Sequence, residues 1–242
     1  MQPRKGSNRV WSFLLAASLC LLAVGHAVAE SCNAYLFPQS VTDLSVATVR
    51  VDHLPILRDD DRCPAAGTKC EGKAYLVRGN QVLVTGTQGR YRCAAYWSGK
   101  RQTTGWVASD ALTPAPMPAL EGDWADTWKR VQGDAVLTIR RRAGQYAASG
   151  IATYAVQPDN VRTGAADGTL RVITSATGAI ASFTQNADDP TARCTVTMRQ
   201  VGPWLLVNDG ASDDANSGCG GMGVTFNGIY QRRLRKEMPP NR

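Results

Sequence analysis

The chain has 242 residues, 27 Lys and Arg against 20 Asp and Glu, and a formal net charge of +7. Much of this charge lies at the two ends: Arg4, Lys5 and Arg9 near the start, and five basic residues with one acid in residues 232–242. Because the chain between them is about neutral, its charge balance does not indicate a folded surface that binds nucleic acid.

The first predicted element is a cleaved signal peptide over residues 1–29. Its basic start is followed by the apolar run WSFLLAASLCLLAVG and ends in the small-x-small sequence Ala27-Val28-Ala29. The run is too short and too poorly flanked for a stable membrane span. We therefore expect a periplasmic or secreted protein without stable membrane insertion, whose mature chain begins near Glu30.

Cysteine usage agrees with export. Cys20 leaves with the signal peptide, and six cysteines remain: Cys32, Cys63, Cys70, Cys93, Cys194 and Cys219. An even number in an exported chain predicts three disulfides. If the second half of the chain folds alone, Cys194 pairs with Cys219, whereas the first four cysteines allow three connectivities. No C-x-x-C pair occurs, and we expect no metal site.

A proline-rich segment divides the mature chain. It predicts a linker at residues 113–121 between a domain of residues 30–112 and a second domain of residues 122–231, with a basic tail at residues 232–242. On both sides, short runs that alternate apolar and polar residues are separated by turn signals every eight to twelve residues. This pattern predicts an all-β fold, with a small antiparallel β-barrel or sandwich on each side of the linker.

The first domain ends in AYLVRGNQVLVTGTQGRYRCAAYWSGKRQTTGWVASDAL, residues 74–112. The spacing of Gly79, Tyr91 and Gly105-Trp106-Val107 in this stretch resembles the second half of a bacterial SH3-like domain. The resemblance implies a five-stranded barrel with an aromatic groove that binds cell-wall material or proteins. Tyr96 and Trp97 are adjacent, so one of them faces outward from a strand, and both are candidate contact residues.

The second domain opens with Gly122-Asp-Trp124 and has Arg232 on its last strand, which resembles lipocalin-like barrels. Its closing segment, WLLVNDGASDDANSGCGGMGVTFNGIYQRR, resembles a C-terminal motif of exported bacterial proteins, some of which are described as lysozyme-inhibitor-like. This resemblance implies an inhibitor or binding role. The polar residues of the loop are candidate partner-binding residues, with a solvated connection as the alternative: Asp209, Asp213, Asp214 and Asn216. Their spacing does not fit a calcium-binding loop.

Gly218-Cys-Gly220-Gly-Met-Gly223 has the glycine spacing of a dinucleotide-binding turn. Such a turn needs a strand before it and a helix after it. Here a polar loop precedes the glycines and the strand-like VTFNGIY follows them. We therefore expect a tight structural turn around a disulfide and no bound cofactor.

No catalytic set can be assembled from the sequence. His53 is the only histidine of the mature chain, and no G-x-S-x-G motif accompanies it. We interpret the protein as an exported, non-catalytic binding protein of the cell envelope that recognises a protein partner. One version inhibits, or gives immunity to, a wall-degrading enzyme such as a lysozyme. The alternatives are an SH3-like module that docks on peptidoglycan or an envelope protein, and a wall-processing enzyme that depends on His53.

Overall fold

The structure, a computed structural model, describes residues 31–32, 40–60, 62–98, 101–115, 123–175, 178–211 and 219–232. These residues form two antiparallel sheets of seven and nine strands, which confirms the all-β prediction. The predicted signal peptide, residues 116–121 of the predicted linker and the tail after Arg232 lie outside the described residues. Within the described part of the chain, no helix has the length and apolar character needed to cross a membrane.

The first sheet has seven strands in the order β3-β2-β6-β5-β4-β1-β7. Their bounds are β1 Ser45–Val49, β2 Leu54–Leu57, β3 Glu71–Leu76, β4 Gln81–Gln88, β5 Tyr91–Ser98, β6 Arg101–Ala108 and β7 Leu112–Pro114. Strands β4, β5 and β6 form successive hairpins, and a 3₁₀ turn at Ser109–Ala111 then returns the chain to β1. Pro114, the second residue of the predicted linker, pairs with Ala47 at the sheet edge, where a proline costs no ladder hydrogen bond.

The second sheet has nine strands in the order β11-β10-β9-β8-β16-β15-β14-β13-β12. Their bounds are β8 Asp126–Arg130, β9 Asp134–Arg142, β10 Gln145–Gln157, β11 Asn160–Thr169, β12 Arg171–Ser175, β13 Gly178–Gln185, β14 Cys194–Val201, β15 Trp204–Asn208 and β16 Gly228–Arg232. The last strand in the chain, β16, pairs with β8, the first strand of this sheet in sequence, with Tyr230 opposite Arg130. Edge strand β11 also contacts β13 near the opposite edge, because the Asp167 N–H donates to Gln185 Oε1 at 3.1 Å. The sheet is thus rolled around its own core.

Along the strands of the second sheet, buried side chains alternate with exposed ones, and the buried ones form that core. The largest of its fully buried side chains are Trp128, Leu137, Ile139, Met198, Leu205, Phe226 and Tyr230. The buried residues of β10 on the same face are the small Ala148, Gly150 and Ala152, and a Cβ on Gly150 would lie 2.5 Å from a methyl of Leu137 and 2.7 Å from the Phe226 ring. The core is therefore close-packed, with large side chains facing small ones.

The two sheets share a second apolar cluster. Trp204, Leu206 and Ile229 project from the outer face of β15 and β16 and pack with Val41, Leu44 and Trp106 of the first domain. Beside them, the buried Arg199 donates from Nη1 to the carbonyls of Val41 and Leu44, at 3.4 and 3.3 Å. The domain boundaries themselves remain a prediction. What the structure adds is that the parts on either side of the linker share buried surface.

Three disulfides are present, as predicted. Cys194 pairs with Cys219, and the connectivity left open among the other four cysteines is Cys32 with Cys93 and Cys63 with Cys70. All six cysteines are buried. The Cys32–Cys93 bond joins the start of the described chain to β5, in the shared cluster. Disulfides of this kind are typical of proteins from oxidising, extracellular compartments.

Candidate functional site

A cleft lies where the hairpin of β5 and β6 meets the second sheet. The first sheet contributes Trp97 and Gln102 to its lining, and the second contributes Arg130, Val131, Gln132 and Ile229. The second-sheet residues come from the end of β8, the turn that follows it and the start of β16, and β8 pairs with β16. The cleft therefore exists only because the two sheets are packed together.

Trp97 is the sequence-predicted residue that the structure brings to this cleft. It is partly exposed, and its ring lies 5.5 Å from that of Trp204, tilted by 49°. Adjacent Tyr96 packs against a different cluster, on the other face of β5, as the alternation predicted. The two aromatic candidates therefore do not share a surface. Sequence reasoning found Trp97, but it gave no sign that Trp204 stands beside it.

Arg130 is the cationic residue of the cleft, and sequence reasoning missed it. Its Nη1 donates to the carbonyls of Thr225 and Asn227, at 2.6 and 3.3 Å. Two glycines leave room for the side chain: a Cβ would lie 3.0 Å from Arg130 Cδ if placed on Gly228, and 3.0 Å from Nη2 if placed on Gly133. The three ion pairs between described residues do not include Arg130. The guanidinium is thus held in position without a carboxylate partner among them.

Buried N–H donors without an acceptor concentrate at this place. Within the described ranges, Trp97 Nε1, Trp204 Nε1 and Arg130 Nε are buried and form no hydrogen bond. A buried donor left without an acceptor costs about 1–3 kcal/mol. Across the cleft, Gln132 Nε2 donates to Gln102 Oε1 at 3.4 Å, which links the two sheets. Polar side chains of both sheets are therefore in contact at the cleft.

Asp209, a predicted partner-binding residue, is only 4% exposed. Its Oδ1 accepts from the Thr225 hydroxyl at 2.9 Å, and its Oδ2 accepts from the Phe226 N–H at 2.7 Å. Asn227 completes the network, since its Oδ1 accepts from the Asp209 N–H at 2.6 Å. Burial raises the pKa of nearby Tyr230. Asp209 thus fixes the start of the loop from the inside, and Asp213, Asp214 and Asn216 lie outside the described residues.

The glycines after the loop pack against β11. A Cβ on Gly220 would lie 2.6 Å from Gly164 Cα, and the Gly221 N–H donates to Thr163 O at 3.4 Å. The Val224 N–H then closes a turn onto Gly221 O at 2.9 Å. The strand expected directly after the glycines, from Val224, begins only at Gly228, where β16 starts.

His53 is exposed and stacks on Tyr75, with ring centroids 4.5 Å apart. Tyr75 is itself 56% exposed, on edge strand β3. Among the described residues, no group of three or more His, Cys, Asp or Glu side chains is arranged to hold a metal ion. The cleft, rather than His53, is therefore where polar and aromatic groups converge.

Arg232, on the last strand, packs on Trp128 of β8. Its guanidinium lies 5.1 Å from the Trp128 ring centre, and its Nη1 is 3.5 Å from Asp126 Oδ2. Trp124 is buried and its carbonyl accepts from Trp128 Nε1 at 3.4 Å. The last strand, β16, therefore contacts the first strand of this sheet, β8, through Arg232.

No protein-family model, curated protein or solved structure matches the chain. The SH3-like, lipocalin-like and lysozyme-inhibitor-like resemblances therefore stay predictions.

Proposed function

We propose that the protein is an exported, non-catalytic binding protein of the cell envelope, and that the cleft between the two sheets is its recognition site. The observation that carries this proposal is the convergence of Trp97, Arg130 and a pair of glutamines at one cleft. An apolar wall with a few fixed polar groups is typical of ligand sites. The disulfides support an oxidising compartment, and the predicted signal peptide supports export to the periplasm or the medium.

This site favours docking on peptidoglycan or on an envelope protein. The SH3-like resemblance supports the same choice, because it implies recognition of wall material or proteins by an aromatic groove. Further support comes from the return of β7 to pair with β1 after a 3₁₀ turn, which joins residues 45–114 in one antiparallel sheet.

The test is pelleting of the mature chain, residues 30–242, with purified sacculi. We expect the wild type to pellet and Trp97→Ala to stay in the supernatant. Tyr75→Ala is the matched control, since Tyr75 is an exposed aromatic of the same sheet outside the cleft. Far-UV circular dichroism establishes that each variant is folded. Equal pelleting of the wild type and a folded Trp97→Ala protein would contradict the cleft as the recognition site.

A second candidate function is inhibition of a wall-degrading enzyme by the loop that follows Asp209. Its support is the anchoring of both ends: the Asp209 network precedes it, and Cys219, bonded to Cys194, follows it. Fixed ends lower the entropy cost of binding. We expect inhibition of a muramidase or amidase to be lost in an Asp213→Ala/Asp214→Ala variant and kept in Asp188→Ala, which changes an exposed acid elsewhere.

These experiments separate the alternatives. If the protein binds neither sacculi nor a wall-degrading enzyme, both binding functions are wrong. Turnover of a wall fragment that His53→Ala abolishes would instead establish the enzyme interpretation. We expect no such turnover, because His53 stacks on Tyr75 at the surface and lies outside the cleft.

A further inference from the structure

We propose that edge strand β12 binds an extended, acidic segment of a partner protein, which adds a strand to the second sheet. The site goes beyond the proposed function, because β12 contributes no residue to the lining of the cleft. Three properties of β12 carry the inference: one side of its backbone is unpaired, its sequence lacks the features that protect other edges, and the charges beside it are positive.

The unpaired side of β12 follows from the directions of its backbone groups. Just before β12, the Leu170 N–H donates to Tyr146 O of β10 at 2.8 Å. Successive residues of a strand direct their backbone groups to opposite sides, so Val172 and Thr174 direct theirs to the same side as Leu170. Strand β10 begins only at Gln145, and within the described chain β12 pairs with β13 alone. The backbone groups of Val172 and Thr174 therefore form an open edge.

The other three sheet edges carry features that hinder pairing with another chain. Lys73 lies in β3 and Pro114 in β7, and both residue types are typical of protected edges. Edge strand β11 is covered in part, because the Gly221 N–H donates to Thr163 O at 3.4 Å. Residues 172–174 of β12 have the sequence Val-Ile-Thr, without a charge or a proline. All three are β-branched and favour strands, so this edge is suited to accept a further strand.

The side chains of β12 offer apolar contacts to such a strand. Ile173 is 61% exposed and Val172 is 40% exposed, on opposite faces of the sheet. Ile173 pairs with Ile180 of β13, which packs against the cluster shared by the two sheets. An added strand with an apolar residue opposite Ile173 would therefore extend an existing apolar surface by one residue.

The charges beside the open edge are positive. Arg140 of β9, Ala147 of β10 and Thr169 of β11 are directly opposite one another and share the outer face of the sheet. Because side chains alternate along a strand, Arg142 and Arg171 lie on the same face, two residues further along. The three arginines are exposed, and none belongs to an ion pair between described residues. An acidic segment complements this group in charge.

Charge also distinguishes this partner from two other occupants. The chain's own tail, residues 233–242, has four basic residues and one acid. A second copy of the chain would bring the same arginines towards each other. Like charges disfavour both arrangements, whereas an acidic segment of another protein is attracted.

The experiment titrates two peptides into the mature protein labelled with ¹⁵N: N-acetyl-Glu-Glu-Thr-Val-Thr-Glu-Glu-amide and the same peptide with Lys in place of Glu. Their symmetric sequence places a charge near Arg171 and the valine opposite Ile173 in either strand direction. We expect the acidic peptide to shift the amide signals of Val172 and Thr174 in a saturable way. The basic peptide should bind about tenfold more weakly at low ionic strength.

Two variants test the backbone and the charge separately. Val172→Pro removes an N–H from the open side while the ladder with β13 keeps its hydrogen bonds, and it should abolish binding. Arg142→Glu/Arg171→Glu changes only exposed side chains and should reverse the preference between the two peptides. Arg62→Glu, at an exposed position of the first domain, is the control and should bind as the wild type does.

The inference is overturned if the acidic peptide does not shift these signals at millimolar concentration, or if both peptides bind equally. It is also overturned if the double variant keeps the wild-type preference. A dimer of the free protein in sedimentation that Val172→Pro abolishes would assign the edge to a second copy instead. Folded Val172→Pro should still pellet with sacculi, because β12 lies outside the cleft, so the outcome for this edge is independent of the proposed function.

Discussion

Gly220 and Gly164 touch through their backbones: a Cβ on Gly220 would lie 2.6 Å from Gly164 Cα, and one on Gly164 would lie 2.8 Å from Gly220 Cα. Gly220 follows the disulfide-bonded Cys219, whereas Gly164 lies in β11, far away in sequence. Only two residues without side chains permit this approach. The contact holds the glycine-rich segment against the rolled sheet.

Gly164→Ala is therefore expected to destabilise the protein. The new methyl would lie 2.5 Å from Cys219 O and 2.8 Å from a Val224 methyl, so backbone must move. Overpacking of this kind costs about 1–3 kcal/mol. Urea unfolding followed by circular dichroism measures the loss. Gly221→Ala is the matched control, because its nearest atom would be at an ordinary 3.6 Å, and equal stability of both variants would contradict the close contact.

The disulfides are expected to differ in their contributions to stability. Cys194–Cys219 spans 25 residues and Cys63–Cys70 spans 7. The chain-entropy relation gives about 3 kcal/mol for the longer loop and about 2 kcal/mol for the shorter one. Guanidinium unfolding of the Cys194→Ala/Cys219→Ala and Cys63→Ala/Cys70→Ala proteins compares them. A larger loss of stability in the Cys63→Ala/Cys70→Ala protein would show that loop-closure entropy does not account for the stabilisation by these bonds.

Asp209→Asn is expected to destabilise the protein by about 2 kcal/mol, because an amide nitrogen would replace one of two oxygens that accept hydrogen bonds in a buried site. Thermal unfolding measures this loss. Asn208→Ala, which removes a side chain bonded to the Gly210 N–H at an exposed position, is the milder comparison. Full stability of Asp209→Asn would mean that the network does not fix the loop.

The pKa of Asp123 is expected to lie below its ordinary value. The Ala125 N–H is the main cause, and the Tyr146 hydroxyl and the charges of Arg141 and Arg232 add to it. Because the folded pKa is the lower one, the stabilisation is present above the unfolded pKa and is lost as pH falls through the folded one. NMR titration of the carboxyl carbon measures the shift. Tyr146→Phe should raise this pKa towards the ordinary value, and an unchanged pKa would exclude the tyrosine as a contributor.

The two sheets are expected to unfold together, since they share the cluster around Leu44 and Trp204. Leu44 is fully buried there, and Leu44→Ala should cost about 2–5 kcal/mol. Hydrogen exchange should then accelerate in β14 and β15 as well as in β4 and β5. Acceleration confined to the first sheet would show that the shared cluster does not couple them.

Local patterns were enough to predict much of this fold. Apolar and polar alternation indicated strands, and the even cysteine count of an exported chain indicated three disulfides. The context of Gly220 and Gly223 indicated a turn rather than a nucleotide site. Each of these inferences depends on residues that are neighbours in sequence or on a simple count, which is why no tertiary information was needed.

Other features depend on residues far apart in sequence. Sequence alone left three pairings for the first four cysteines, and only the packing of residue 32 against β5 selects Cys93. The sequence predicted Asp209 as a partner-binding residue of a polar loop, whereas in the structure the backbone and side chains of residues 225–227 enclose its carboxylate. Arg130 belongs to no sequence motif, and its side chain lies between Gly133 and Gly228 only in the folded chain.

By itself, the sequence determined that this is an all-β, disulfide-bonded chain with a structural glycine turn. The tertiary structure decided that the two sheets share a core and that Trp97 and Arg130 meet in a cleft between them. The physical reason is that strand patterns report which face of a strand is buried but not what buries it. The outer faces of β15 and β16 were buried by the other sheet.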